Sequence, residues 1–182
     1  MDLIIETERL LLRPILNSDA EALFEMDNNP NVHLYLGNEP VQSIEEVHAY
    51  IESIQSQYIK NGIGRFAVVL KDTNEVIGWT GIKFVTEPEN NHVNFYDIGY
   101  RLQEKYWRKG YGFEAAKAWL DYGFNQMKIP VMIATAHVDN KGSNAILQKI
   151  GMIQKEQYLH HDLPCNWYEL QNPNQTSKLL NL

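Results

Sequence analysis

The chain has 182 residues, 44% of them hydrophobic and 21% charged; this suits one globular domain with its own core and excludes disorder as the main state. Its longest apolar run, Phe66 to Leu70, is far shorter than the roughly 20 residues of a membrane-spanning helix, and no basic region followed by an apolar stretch opens it as a signal peptide would. The net charge of −7 argues against a nonspecific nucleic-acid binder, and one cysteine, Cys165, allows neither an intramolecular disulfide nor a multi-cysteine metal site, so a reducing, cytoplasmic setting is expected.

Taken in chain order, Arg9–Arg13 reads as a first strand ended by Pro14, and Asn17, Ser18 and Asp19 are cap candidates for a short helix through Asp27. Ser43-Ile44-Glu45-Glu46 is a capping-box pattern. Ile44, Val47, Ile51, Ile54 and Tyr58 follow at helical spacing until Asn61-Gly62 stops the helix. Phe66–Leu70 and Val76–Phe84 are β-rich runs joined by the turn Asp72-Thr73-Asn74. After a polar loop at 87–91, Val93–Leu102 is the next strand. A basic, glycine-containing loop follows, and Phe113, Ala116, Leu120, Phe124 and Met127 mark a helix. Val131–His137 is a short strand, Asp139 or Asn140 caps a helix closed by Gly151, and Ile153–Tyr158 and Trp167–Leu170 are the last strands, paired across a loop containing Pro164. The expected domain is residues 1–171, with a loose tail over 172–182. It is α/β (α+β) in class, a mixed, mostly antiparallel sheet of about seven strands flanked by about four helices.

The charge is uneven. Residues 1–60 hold three basic and eleven acidic residues, whereas residues 101–117 hold five basic and two acidic ones. That positive window contains Arg108-Lys109-Gly110-Tyr111-Gly112, where a strand runs through glycines into a helix. First-turn N–H groups and the helix dipole favour an anion there, and glycine lets the backbone approach it. A G-x-G pair alone is equally compatible with a simple turn. A phosphate loop of the G-x-x-x-x-G-K-[ST] type is absent. A dinucleotide loop would follow the first strand of a βαβ unit, and this one follows a fourth strand.

About 30 residues downstream stands Asp139-Asn140-Lys141-Gly142-Ser143, then Leu147, Lys149 and Gly151. With both parts in hand the chain resembles a GNAT-superfamily N-acetyltransferase of the ribosomal-protein N-terminal acetyltransferase branch. Four segments carry the resemblance and cover roughly residues 5–170: Thr7–Pro14 with Asp19, Ile98–Leu102, Tyr106–Ala115, and Asn140-x-x-Ser143 through Lys149-x-Gly151.

The resemblance implies acetyl-CoA as co-substrate and no metal. Its pantetheine arm would pair with backbone groups around Tyr100, Arg101 and Leu102, and Arg108, Lys109, Gly110, Tyr111, Gly112 and Phe113 would cradle the pyrophosphate, with Asn140 and Ser143 also lining the cofactor site. A primary amine, on a small molecule or a protein N-terminus, would then attack the thioester directly. Two departures stand out. Trp107 occupies a position where relatives often carry Gln or Arg, and Leu147 replaces a tyrosine that serves many relatives as the acid, a role that passes in this branch to Ser143. Tyr158 and Tyr168 are the other hydroxyls considered for it. Asp97, on the face opposite Tyr100, is the base candidate, ahead of Glu87 and Glu89; an edge charge near a loop is its plainer reading. Asn140 is also readable as a helix cap alone and Ser143 as a surface residue. His160-His161-Asp162 lacks a third ligand at useful spacing and reads as loop, and Cys165 as an inert thiol. A monomer or homodimer acting without nucleic acid or membrane is expected. The rival readings are a non-catalytic acyl-CoA-binding or sensing domain and a phosphate-binding oxidoreductase.

Overall fold

The computed structural model describes residues 1–176. Among the described residues, eight strands form one open sheet: β1 (Ile5–Glu6), β2 (Leu10–Pro14), β3 (Arg65–Leu70), β4 (Val76–Val85), β5 (Phe95–Leu102), β6 (Val131–His137), β7 (Ile153–His160) and β8 (Leu163–Gln171). Their spatial order is β1-β2-β3-β4-β5-β6-β8-β7. Every neighbouring pair is antiparallel except β5 and β6. The helices are α1 (Ala20–Asp27), α2 (Pro30–His33), α3 (Ile44–Asn61), α4 (Tyr111–Asn125), α5 (Lys141–Lys149) and α6 (Pro173–Thr176).

The two faces of the sheet are buried by different helices. Leu23 and Met26 of α1 and Val47, Ile51 and Ile54 of α3 pack on Ala67, Val69 and Trp79. On the opposite face, Trp119, Leu120 and Phe124 of α4 and Leu147 of α5 pack on Phe66, Val68, Ile98 and Met132. Each such large apolar side chain contributes about 1.5–3 kcal/mol when fully buried, so the stripes that form the helices also clamp them to the strands.

The capping box at Ser43 is present, with Glu46 Oε1 accepting from Ser43 N at 3.0 Å, and Gly62 ends α3 at φ +67°. β6 has the expected bounds. The short β1 and the single-turn α2 were not expected, because each is too brief to show a period. The first helix begins with a 3-10 turn over Asn17–Asp19; Asp19 holds the N-cap position of α1, but its buried carboxylate accepts from Arg13 and from Leu16 N, the backbone cap of the 3-10 turn, rather than from α1. The last hairpin is longer than expected: Pro164 lies inside β8, and the turn is His161-Asp162, both at positive φ as a tight two-residue hairpin turn demands. Asn172, expected to open a loose tail, is buried and donates to the carbonyls of Phe124 and Ile129. The rest of that expected tail, residues 177–182, lies outside the described residues.

Candidate active site

The site begins where the sheet parts. β5 and β6 are paired only at Tyr96 with Met132 and Asp97 with Ile133, although β5 continues to Leu102 and β6 to His137. β4 remains paired with β5 along its whole length, and β8 with β6. The two strands therefore diverge from Ile98 onward, and the inner backbone edge of Ile98–Leu102 faces the gap. Side chains alternate across β5: Tyr96, Ile98, Tyr100 and Leu102 face α4 and α5, while Asp97, Gly99 and Arg101 face α1 and α3.

At the end of β5 the Trp107 indole donates to the Leu102 carbonyl at 2.7 Å, folding the loop back onto the strand. Arg108 and Gly110 then adopt positive φ, +61° and +85°. Gly110 occupies the cap position of α4 and has no side chain to offer, so the first-turn N–H groups of Tyr111, Gly112 and Phe113 carry no side-chain cap. Arg108 and Lys109 are exposed beside them, and the Lys149 ammonium, from the end of α5, stands 4.4 Å from the Phe113 ring. Arg9 also reaches this corner, donating to the Lys109 carbonyl at 3.0 Å while paired with Glu114 at 2.6 Å. The result is an electropositive helix N-terminus with bare amides, chemically suited to a diphosphate.

Tyr100 joins the two helices. Its ring lies so close over Gly112 that a Cβ there would be 3.0 Å from Tyr100 Cε2 and 3.3 Å from Ile146 Cδ1. The Ser143 hydroxyl faces the Tyr100 hydroxyl and favours its ionised form, while burial pushes the phenol pKa up. Asn140 is a true cap of α5, its Oδ1 accepting from Ser143 N at 3.1 Å. Leu147 is in the core, so nothing at that position can donate a proton. Asn144, which the sequence reading passed over, fastens α5 to the sheet, donating to the His137 carbonyl and accepting from Tyr168 Oη and Asn166 Nδ2. Tyr168 is thereby buried and committed, which removes it as a candidate acid.

The opposite face is charged and largely buried. Asp97 forms an ion pair with Arg65, whose guanidinium also donates to the carbonyls of Gly81 and Asp97. Burial pushes the Asp97 carboxyl up, against the downward pull of Arg65. The Arg101 side chain points here too, to Asp27 at 2.7 Å, so only its backbone faces the gap. Arg65 and Arg101 each lie 5.2 Å from the Trp79 ring, and buried His33 stands 3.5 Å from Asp27. Glu87 is exposed, but Glu89 is not: its Oε1 accepts from Tyr158 Oη and lies 3.0 Å from His160 Nδ1. Among the sequence-derived candidates the structure brings Tyr100, Gly112 and Ser143 together on one side of the gap and sets Asp97 on the other. The pairings of Arg65 with Asp97, of Lys149 with Phe113 and of Glu89 with Tyr158 and His160 had no local signal, because the partners lie 32 to 71 residues apart.

Among the described residues, a mostly antiparallel sheet opens at its one parallel junction beside a bare and positively charged helix N-terminus, a cleft suited to an extended, diphosphate-bearing ligand. The chain belongs to the acetyltransferase (GNAT) domain family, whose profile matches residues 9–153. It is 34% identical over 164 residues to the uncharacterized N-acetyltransferase YoaA of Bacillus subtilis (strain 168), covering 87% of this chain and 89% of that one. Among solved structures, a GNAT-family acetyltransferase from Bacillus anthracis superposes with a TM-score of 0.78 at 28% identity, covering 93% of this chain and 99% of that one. RimL, a ribosomal L7/L12 α-N-protein acetyltransferase solved with coenzyme A, shares the fold at a TM-score of 0.79 and 20% identity, over 93% of this chain and 98% of that one.

Proposed function

We propose that this acetyltransferase moves the acetyl group of acetyl-CoA onto a primary amine in a ternary complex. One observation carries the reading: the strands part immediately beside the uncapped first turn of α4, with Tyr100 packed on Gly112 between them. An extended amide-bearing arm would lie along Ile98–Leu102 by strand addition, with its diphosphate on the N–H groups of Tyr111–Phe113 and the charges of Arg108, Lys109 and Lys149 around it. RimL, of the same fold, was solved with coenzyme A. A backbone N–H of the open edge would polarise the thioester oxygen, and Ser143, one turn beyond Asn140, would donate to the departing thiolate.

The amine would arrive from the face that carries Asp27, Glu89 and Asp97. The acidic first 60 residues favour a cationic acceptor, a small amine or a protein N-terminus. Asp97 enters this proposal as a charged neighbour of the amine rather than as its proton acceptor, because its carboxylate is held by Arg65. The test is free-thiol release from acetyl-CoA across a panel of polyamines, aminoglycosides and peptides with free N-termini, together with a thermal shift by acetyl-CoA. Thiol release with at least one amine is expected. A thermal shift without turnover of any amine would favour the non-catalytic, acyl-CoA-sensing reading, which the burial of Leu147 at the acid's position keeps as an alternative.

A further inference from the structure

The loop before β5 and the last hairpin meet in a chain of polar groups that the proposal above leaves unused. Glu89 accepts from the Tyr158 hydroxyl at 2.5 Å and lies 3.0 Å from His160 Nδ1. The Thr135 hydroxyl stands beside that of Tyr158 and favours its ionised form. Register places these groups on one face. Asp97 pairs with Ile133, Thr135 follows two residues on and pairs with Trp167, and Cys165 pairs with Tyr158. That is the face opposite Tyr100, where the acceptor would enter. Thr135 lies in the wall of the gap, two residues past the last β5–β6 pair, while His160 at the far end is 37% exposed. The polar groups thus run from the parting of the strands to solvent.

We propose that Tyr158 is a catalytic residue that relays the acceptor amine's proton to Glu89, with His160 positioning the Glu89 carboxylate and setting its basicity. The inference rests on the amine acetylation proposed above. In the step, a bond forms between the amine nitrogen and the thioester carbonyl carbon, the C–S bond breaks, and the thiolate leaves with its electron pair. The surplus proton on nitrogen goes to Tyr158 Oη as that hydroxyl gives its own proton to Glu89. One proton moves from nitrogen to carboxylate, and the phenol ends as it began. A nitrogen already bonded to the carbonyl carbon has lost most of its basicity, so a carboxylate suffices to receive the proton.

The protonation states support this direction of travel. Burial and Glu89 push the Tyr158 phenol well up, so it remains neutral and able both to accept and to donate. His160 holds Glu89 below the usual carboxylate range, and Glu89 raises His160 above the usual histidine value. The other charged and titratable groups facing the carboxylate are Lys83 from β4, Asp97 from β5 and Cys165 from β8, and Asn90 ties the loop to Glu156 of β7 at 2.9 Å. Once His160 loses its proton, Glu89 becomes the stronger base. The rate should therefore rise through a pKa above about 6.5, the ordinary histidine value.

The experiment is single-turnover acetyl transfer from saturating acetyl-CoA to the panel amine acetylated fastest by the wild type, measured from pH 5 to 10. Glu89→Gln and Tyr158→Phe should each slow transfer on the order of 10²-fold, and the double variant should be no slower than either single one, because both lie on one path. His160→Gln should move the acid limb downward in pH. A thermal shift by acetyl-CoA retained in each variant certifies its fold. Should Tyr158→Phe not fold, the His160 imidazole titration by NMR decides without it: a midpoint above 6.5 in the wild type that falls in Glu89→Gln is expected. Multiplying single effects, an acid limb that His160→Gln leaves in place, loss of that limb in Asp97→Asn instead, or an ordinary His160 midpoint would each overturn the relay. Wild type and variants equally inert toward every amine, yet stabilised by acetyl-CoA, would mark the failure of the proposed function, and the relay would fall with it.

Discussion

The Trp107 indole donates to the carbonyl of Leu102 at 2.7 Å, tying the end of β5 to the loop that opens α4. The backbone edge and the helix amides proposed above to hold the pantetheine arm and the diphosphate thus share one corner. Trp107→Phe keeps a ring but loses the donor. It should cost about 1 kcal/mol in urea unfolding, the net worth of one hydrogen bond, and weaken acetyl-CoA binding in calorimetry. Unchanged affinity would show that the corner holds without this bond.

Gly110→Glu addresses the anion site. The position has φ +85°, and a Cβ there would stand 3.2 Å from Arg9 Nη2. A carboxylate so placed opposes a diphosphate by charge and by bulk. Acetyl-CoA at a hundredfold excess over its Kd should stabilise the wild type by about 2.7 kcal/mol and leave this variant's Tm unmoved. No shift in the wild type would remove the diphosphate assignment altogether.

Ser143→Ala tests the hydroxyl that faces Tyr100. The departing thiolate has a cysteine-like conjugate acid of pKa about 8.5, so it needs only modest help. Turnover should fall about 10- to 100-fold with acetyl-CoA affinity nearly unchanged, and the loss should shrink for a thioester with a more acidic thiol. A change in affinity alone would make Ser143 a binding residue.

Two histidines should pull stability in opposite directions with pH. His33 is buried, and burial reinforced by Arg101 lowers its pKa. Its contribution is present above the unfolded value of about 6.5 and is lost as pH falls through the lower folded value. His160 has a raised pKa, so its contribution is complete below about 6.5 and is lost as pH rises through the higher folded value. Urea midpoints from pH 5 to 8.5 should therefore fall less steeply on acidification in His33→Gln than in the wild type, and less steeply on alkalinisation in His160→Gln. Parallel profiles for all three proteins would contradict both assignments.

The strand–loop–helix corner was legible in the sequence because its parts are local: a strand, a basic glycine loop and a helix follow one another within Ile98–Phe124. The α3 helix was equally plain from its capping box and apolar stripe. The charged face opposite Tyr100 was not, since its chemistry arises from pairings across the fold. Asp97 could be placed on the face opposite Tyr100, but nothing near it announced Arg65, 32 residues away, as its partner. Glu89 and Tyr158 were each noticed, yet their contact spans 69 residues and becomes visible only when β7 pairs with β8 and the 87–91 loop folds over them. Pro164 misled because proline signals a loop, and here it occupies the second residue of the outgoing strand of a two-residue hairpin.

The one parallel junction among the described residues has a mechanical consequence. Five strands on one side and three on the other are sewn together along their edges by only two residue pairs. Across every other major boundary the ladder runs for five pairs or more. This stitch is the shortest seam between the two large parts of the sheet, and it is also where the proposed co-substrate would lodge. A ligand hydrogen-bonded to the open edge would act as the missing seam, turning two leaves that can breathe separately into one board. Amides of β5 and β6 near the stitch should then be the ones whose exchange slows most when acetyl-CoA is added, so that the fold is fully fastened only while it is loaded.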